Sequence, residues 1–241
     1  MRTFTLLILC LIYRGVFAQL EIPRFGKNDT ITTHLGYSVS YNSRYKQANW
    51  VAYLLTRAET NKRYERGEFF APDPLITGTD FSIDYQKSGY DRGHLAPAAD
   101  MGYSMETMVQ SFYYSNMSPQ VPRFNRGIWK KLEMQVRNWA VEFDSLYVVT
   151  GPIFDSIMLT IGPHRVAVPK AYYKVLLQKR NGTWEGIGFI LPNSNTKVDF
   201  KDYVTSIDNV EEITGIDFFW KIDDKIEIKL EREKYNFYPF N

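Results

Sequence analysis

Hydrophobic and polar positions along the chain follow two periods. Runs of β-branched and aromatic residues at 37–41, 50–56, 146–150, 172–177 and 184–191 predict strands. Gly151-Pro152 and Asn181-Gly182 predict turns that punctuate two of them. The period lengthens over 125–143, where Ile128, Leu132, Val136 and Trp139 recur at spacings of four, four and three on one face of a helix. Ser104 is placed to cap a second helix running to Tyr113, and a third is expected over 205–214 with Gly215 as its C-cap. Strands and helices mix without a β-α-β rhythm, so the pattern predicts an α+β fold rather than a doubly wound sheet. No linker, repeat or low-complexity tract interrupts 19–241, which reads as one domain.

The first eighteen residues break this pattern. Arg2, an apolar run from Phe4 to Ile12 and a small-x-small ending at Val16-Phe17-Ala18 have the layout of a secretory signal peptide over 1–18. The run is too short to span a bilayer, so no membrane association is expected after cleavage. Secretion or delivery to a periplasm is the expected localisation; Arg14, inside the leader, keeps a mitochondrial address as the alternative. Cleavage would remove Arg2, Arg14 and Cys10, leaving 27 basic and 27 acidic residues and no cysteine. Disulfide frameworks, cysteine-bound zinc and thiol nucleophiles are thereby excluded from the mature chain.

Charge balance over the whole chain conceals segregation. Between Asp202 and Glu233 there are 10 acidic and 4 basic residues, whereas Asn116 to Arg137 holds Arg123, Arg126, Lys130, Lys131 and Arg137 against Glu133 alone. A globally basic nucleic-acid coat is excluded, but a local basic cleft that steers polyanions is not.

Of three histidines, His34 lies in a polar stretch and His164 in a Gly-Pro-His-Arg turn; both read as surface or turn residues. His94 is different. Asp91-Arg92-Gly93-His94, between a Ser88-Gly89 turn and Pro97, offers a base that titrates near neutrality beside a guanidinium suited to phosphate. The same four residues also fit a polar turn with an Asp–Arg ion pair. Downstream, Asn125, Trp129, Glu133 and Arg137 recur every fourth position and form a slowly drifting stripe beside the apolar face. Asn125 would project from the helix's first turn, where anionic ligands are favoured. Taken alone, those residues are better explained by an N-cap Asn and an i,i+4 Glu133–Arg137 surface pair.

Together the two blocks resemble the DNA/RNA non-specific endonucleases of the ββα-metal type, a family that includes secreted bacterial nucleases and mitochondrial endonuclease G. The resemblance rests on Asp91-Arg92-Gly93-His94, on Asn116-x-x-Pro119-Gln120 and on Asn125-x-Gly127-x-Trp129 continuing to Glu133 and Arg137. It extends more loosely over Trp50-Val51-Ala52-Tyr53, Asp73-Pro74, Val149-Thr150-Gly151-Pro152 and Val168-Pro169-Lys170, nearly the whole mature chain. It implies that His94 is the general base and that Asn125 is the direct protein ligand of a Mg²⁺ ion, for which Mn²⁺ can substitute. Glu133 would hold the metal's waters, Arg92 and Arg137 would contact phosphate, and Asn116, Gln120 and Arg126 would line the substrate site. Asp91 would orient the loop. The family's upstream arginine matches none of Arg57, Arg63 and Arg66 cleanly in spacing before Asp73-Pro74, and Arg66 is its expected counterpart.

What the resemblance implies is a ββα-metal fold with a mainly antiparallel central sheet flanked by helices, and hydrolysis of DNA and RNA phosphodiesters to 5′-phosphate products with little discrimination between the two. It leaves room for a homodimer and for a protein inhibitor. A catalytically degenerate fold that only binds nucleic acid or another polyanion is the alternative, and small phosphodiesters are an alternative substrate class. Neither H-E-x-x-H nor G-x-S-x-G occurs. Asn28, Asn116 and Asn181 begin glycosylation sequons; a glycan at Asn116 would obstruct the site, so that position is expected to be unmodified.

Overall fold

The computed structural model describes residues 19–24, 30–67, 69–234 and 237. The leader segment 1–18 and the Asn28 sequon lie outside them. Strands β1 (Ile31–Thr33), β2 (Ser38–Asn42) and β3 (Gln47–Thr56) open the domain, followed by β4 (Asp91–His94), α1 (Met105–Ser111) and β5 (Met117–Gln120). Next come α2 (Lys130–Glu142), β6 (Ser145–Ile153), β7 (Leu159–Ile161), β8 (Val166–Val168), β9 (Ala171–Arg180) and β10 (Thr183–Pro192). The chain then forms β11 (Val204–Thr205), α3 (Ile207–Thr214) and α4 (Asp224–Arg232). Seven strands make one antiparallel sheet in the order β1-β2-β3-β6-β9-β10-β11, while β4–β5 and β7–β8 pair separately. The architecture is the expected α+β arrangement.

Both faces of this sheet are covered, which is why its central strands read as continuous apolar runs. Side chains alternate along β3: Val51, Tyr53 and Leu55 join a core with Leu132, Val136 and Trp139 of α2, whereas Trp50 and Ala52 join a second core with Ile207 and Val210 of α3 and Leu230 of α4. Helices α2 and α3/α4 therefore occupy opposite faces. Strands β9 and β10 meet in a two-residue turn at Asn181-Gly182, both with positive φ (51° and 81°), the geometry an Asn-Gly hairpin favours.

Local expectations held at two helix ends. Ser104 caps α1 by accepting from the Thr107 amide, and Gly215, at φ 70°, ends α3 with its amide donating to the Glu211 carbonyl.

Three expectations are corrected. Gly151-Pro152 is not a turn but the interior of β6, where a Cβ on Gly151 would sit 2.4 Å from the Asn49 carbonyl and 2.6 Å from the Tyr173 hydroxyl. The helix expected over 125–143 is two pieces. A π-helical turn spans Phe124–Trp129, with Gly127 at φ −108° and ψ −106°, and only then does α2 begin. Helical phase is thus reset between Asn125 and Glu133, and Trp129, placed by even spacing on the polar stripe, is wholly buried in the core instead. His34, expected at the surface, is buried and its Nε2 lies 2.9 Å from Asp73 Oδ2. His164 does occupy a turn, its Nδ1 2.7 Å from Asp84 Oδ2.

Candidate active site

The β4–β5 pair and the start of α2 meet in a cleft of about 390 Å³ lined by His94, Asn125, Glu133, Arg137, Arg66, Arg126, Lys62 and Lys130. Five of these side chains are cationic and Glu133 is the one carboxylate. Strand alternation sends His94 to the cleft at the end of β4, paired in register with Met117. Gly93 beside it is required by close approach: a Cβ there would meet the Gln120 side chain at 2.1 Å.

His94 is largely buried, its ring edge-on to Phe112 at 4.9 Å between centroids, and its Nε2 has no hydrogen-bond partner. Burial and the Arg66 charge push its pKa down to about 3, which keeps the imidazole neutral. Arg66 shares the Phe112 ring, with its guanidinium carbon 5.7 Å from the centroid. Arg57 is instead engaged away from the cleft with Asp144 and the Val141 carbonyl.

Asn125 is oriented by Asp91. Its Nδ2 donates to Asp91 Oδ2 at 2.9 Å, so the carbonyl oxygen is the end of the amide not engaged by that carboxylate. Arg126 grips the same carboxylate through Nε at 2.8 Å and Nη2 at 2.6 Å. Burial lifts the Asp91 carboxyl, but the bonds from Arg126 and Asn125 outweigh it and hold the group below its ordinary value. Arg137 donates to the fully buried Asp100 at 2.6 Å, and Tyr53 supplies a second donor to Asp100 at 2.7 Å. Its ion partner is thus Asp100, from another segment, rather than the helical neighbour Glu133. Burial raises Glu133 to about 7 while Lys174 opposes that rise; burial in turn lowers Lys174 to about 8.

Arg92 lies in an adjoining recess with Arg66, Phe70, Tyr90, Asp91, Asn125 and Arg126. Its guanidinium stands 4.9 Å from the Phe70 centroid and 5.5 Å from that of Tyr85, and its Nε is buried without a partner. Asn116 and Gln120, expected to line the site, are corrected: both are fully buried and neither lines either recess. Asn116 donates to the Ala96 and Ser111 carbonyls and accepts from the Ala96 amide, so its amide is saturated by backbone and pins the segment that follows His94. Gln120 fills the space above Gly93.

Sequence reasoning missed Asp100, Lys174 and Lys62 as members of this neighbourhood, whereas Lys130 was already among the basic residues expected beside the site. Lys174 carried the one available signal, a lysine amid the apolar run of β9. It is fully buried, its Nζ is 4.9 Å from the Trp129 centroid, and it has no hydrogen-bond partner.

Known proteins resemble this chain in sequence and in fold. The chain is 36% identical over 224 residues to Nuclease C1 of Cunninghamella echinulata var. echinulata, covering 84% of this chain and 89% of that protein. It is 32% identical over 209 residues to the mitochondrial nuclease EXOG of Xenopus laevis, where it covers 79% of this chain but spans only 58% of the relative. A chain in the crystal structure of the EndoG/EndoGI complex superposes with a TM-score of 0.77 at 31% identity, covering 84% of this chain and 90% of that one. That likeness carries the ββα-metal fold with it. A profile of the DNA/RNA non-specific endonucleases matches residues 17–225, and the chain belongs to the DNA/RNA non-specific endonuclease family.

Proposed function

We propose that this protein is a metal-dependent endonuclease that hydrolyses DNA and RNA phosphodiesters, with His94 as general base. The observation that carries the reading is the neutral, unpartnered His94 Nε2 on the wall of a cleft whose other polar side chains are Asn125, one carboxylate and five cations. Such a cleft selects a polyanion by charge and makes no provision for reading bases.

The residues fit a hard divalent cation. The Asn125 carbonyl is a neutral oxygen ligand whose orientation Asp91 fixes, and Glu133 on the same wall offers carboxylate oxygens to metal-bound water. When bound, Mg²⁺, or Mn²⁺ with its similar oxygen preference, supplies charge stabilisation at the phosphate and the departing oxygen. His94 takes a proton from the water that attacks phosphorus. Arg66, Arg137 and Arg126 offset charge on the non-bridging oxygens, and the 3′-oxygen departs to leave a 5′-phosphate. Arg92 holds the flank of the same strand and extends the cationic surface into the second recess.

Secretion through 1–18 belongs to the same proposal, and among the described residues no helix is long and apolar enough to cross a membrane. A protein inhibitor is proposed as a partner because one solved structure that resembles this chain is of an EndoG/EndoGI complex. The test is incubation of purified protein with plasmid and with RNA, in Mg²⁺ and in EDTA, with end-labelling of the products. Cleavage of both polymers only with Mg²⁺, lost in His94→Ala, is expected; binding without cleavage would overturn the reading. Sequencing of the secreted N-terminus checks cleavage after Ala18.

A further inference from the structure

The acidic segment between Asp202 and Glu233 takes no part in the cleft. It forms α3 and α4, which lie side by side on the opposite face of the sheet, with Ile207, Val210 and Leu230 turned into the core. Carboxylates occupy the seam between the two helices. Asp208 and Glu211 stand one turn apart on α3, and Glu231 follows Leu230 on α4. One ligand oxygen from each lies within 4.8 Å of the other two.

A second observation singles out this group among the acidic residues of the surface. Glu231 is only 7% exposed and one of its carboxylate oxygens belongs to this group, yet its Oε1 is buried and has no hydrogen-bond partner; the Oε1 of Glu227, one turn earlier, is buried and unpartnered as well. Glu211 Oε1 accepts from the Phe218 amide at 2.7 Å. Among the described residues no ion pair neutralises Asp208, Glu211 or Glu231. Arg24 is engaged with Asp217 at 3.5 Å, and Lys225 and Lys229 of α4 are exposed. A buried carboxylate without a partner is expensive unless a proton or a cation joins it, and Glu231 shares its seam with the partly buried carboxylates of Asp208 and Glu211.

We propose that Asp208, Glu211 and Glu231 form a structural Ca²⁺ site that ties α3 to α4. The dimensions suit this ion. Oxygens bound to one Ca²⁺ at roughly 2.3–2.6 Å can stand up to about 5 Å apart, whereas Mg²⁺ at roughly 2.0–2.1 Å draws its ligands closer and demands a stricter octahedron. Glu227 is placed to take up a fourth position or one of the bound waters. The site is separate from the cleft, on the other side of the sheet, so its occupancy acts on stability and not on the chemical step.

The experiment is thermal melting and calorimetric titration of the full chain with CaCl₂ and with MgCl₂ at fixed ionic strength, starting from EDTA. In wild type and in Asn125→Ala alike, Ca²⁺ should raise Tm by roughly 5 °C at saturation, with Mg²⁺ less effective in Asn125→Ala. Glu231→Gln should abolish the Ca²⁺-dependent rise while leaving nucleic-acid cleavage unchanged. Asp208→Asn, on a more exposed position, should weaken Ca²⁺ binding at least tenfold and serves if the buried variant fails to fold. Absence of a Ca²⁺-dependent rise in wild type, or its persistence in both carboxamide variants, would overturn the proposal. Failure of nuclease activity would leave these outcomes untouched.

Discussion

Glu133 in the cleft and Glu231 in the α3–α4 seam are both helical carboxylates lifted above their ordinary range, yet the charges around them are opposite. Burial raises Glu133 to about 7, Lys174 is the strongest force against that rise, and Arg137 and Arg66 add to it against Asp100. Burial raises Glu231 to about 9, and Glu211, Glu227, Asp208 and Asp217 push the same way. Glu211 is raised by burial to about 7 with no cation opposing it. Desolvation alone would make the two places look alike. The difference lies in what each has in excess: the cleft holds cations beyond its own need, ready for an anion, and the seam holds anions beyond its own need, ready for a cation or a proton.

The largest test of this contrast is His94→Ala. Loss of general-base assistance should lower kcat by ~10²- to 10⁴-fold, whereas Glu231→Gln should leave kcat alone. Arg137→Ala should cost about 3 kcal/mol in a denaturant titration, because Asp100 would keep a buried charge with Tyr53 as its remaining side-chain donor. Lys174→Met removes the cation closest in effect to Glu133. The acid limb of the cleavage–pH profile should then move to higher pH, with more activity lost at pH 7 than at pH 9; an unmoved limb would break the assignment of Lys174 as the group that keeps Glu133 ionised. In EDTA the seam should show the reverse sensitivity. Its carboxyls, with folded pKa values of about 7 and about 9 against an ordinary 4.5, hold protons that the unfolded chain releases. Their stabilisation is therefore complete below about pH 4.5 and is lost as pH rises towards 9, so Tm should fall over that range and fall less in Glu231→Gln. The smallest effect is expected for Arg126→Gln, which should reduce the salt dependence of DNA binding by about one phosphate contact.

Features carried by neighbouring residues were legible before any coordinates. Asn181-Gly182 announced a hairpin, Ser104 and Gly215 marked helix ends, and Asp91-Arg92-Gly93-His94 with Asn125 located two walls of the cleft. Features that depend on distant segments were not. Gly151-Pro152 has the composition of a turn, and only the carbonyl of Asn49 and the ring of Tyr173 explain a glycine inside a strand. Asn116 and Gln120 have the chemistry of ligand-binding amides, but backbone groups of Ala96 and Ser111 use up the first and packing over Gly93 buries the second. Asp100 lies 37 residues from Arg137 and Lys174 lies on another strand, so no local period links either to the site. Helix α4 escaped notice because its short amphipathic pattern is dominated by charge.

The π-helical turn at Phe124–Trp129 makes chain length, rather than residue identity, the feature most tightly fixed in this part of the molecule. Each residue added to or taken from a helix rotates everything beyond it by about 100°. A single deletion between Asn125 and Lys130 would turn the Asn125 side chain by about 100° relative to Glu133 although both residues survived. Substitutions at the exposed Arg123 or Lys131 leave that rotation untouched. Libraries built to diversify the enzyme can therefore vary the outer positions freely, provided the number of residues between the sheet and the helix is held constant.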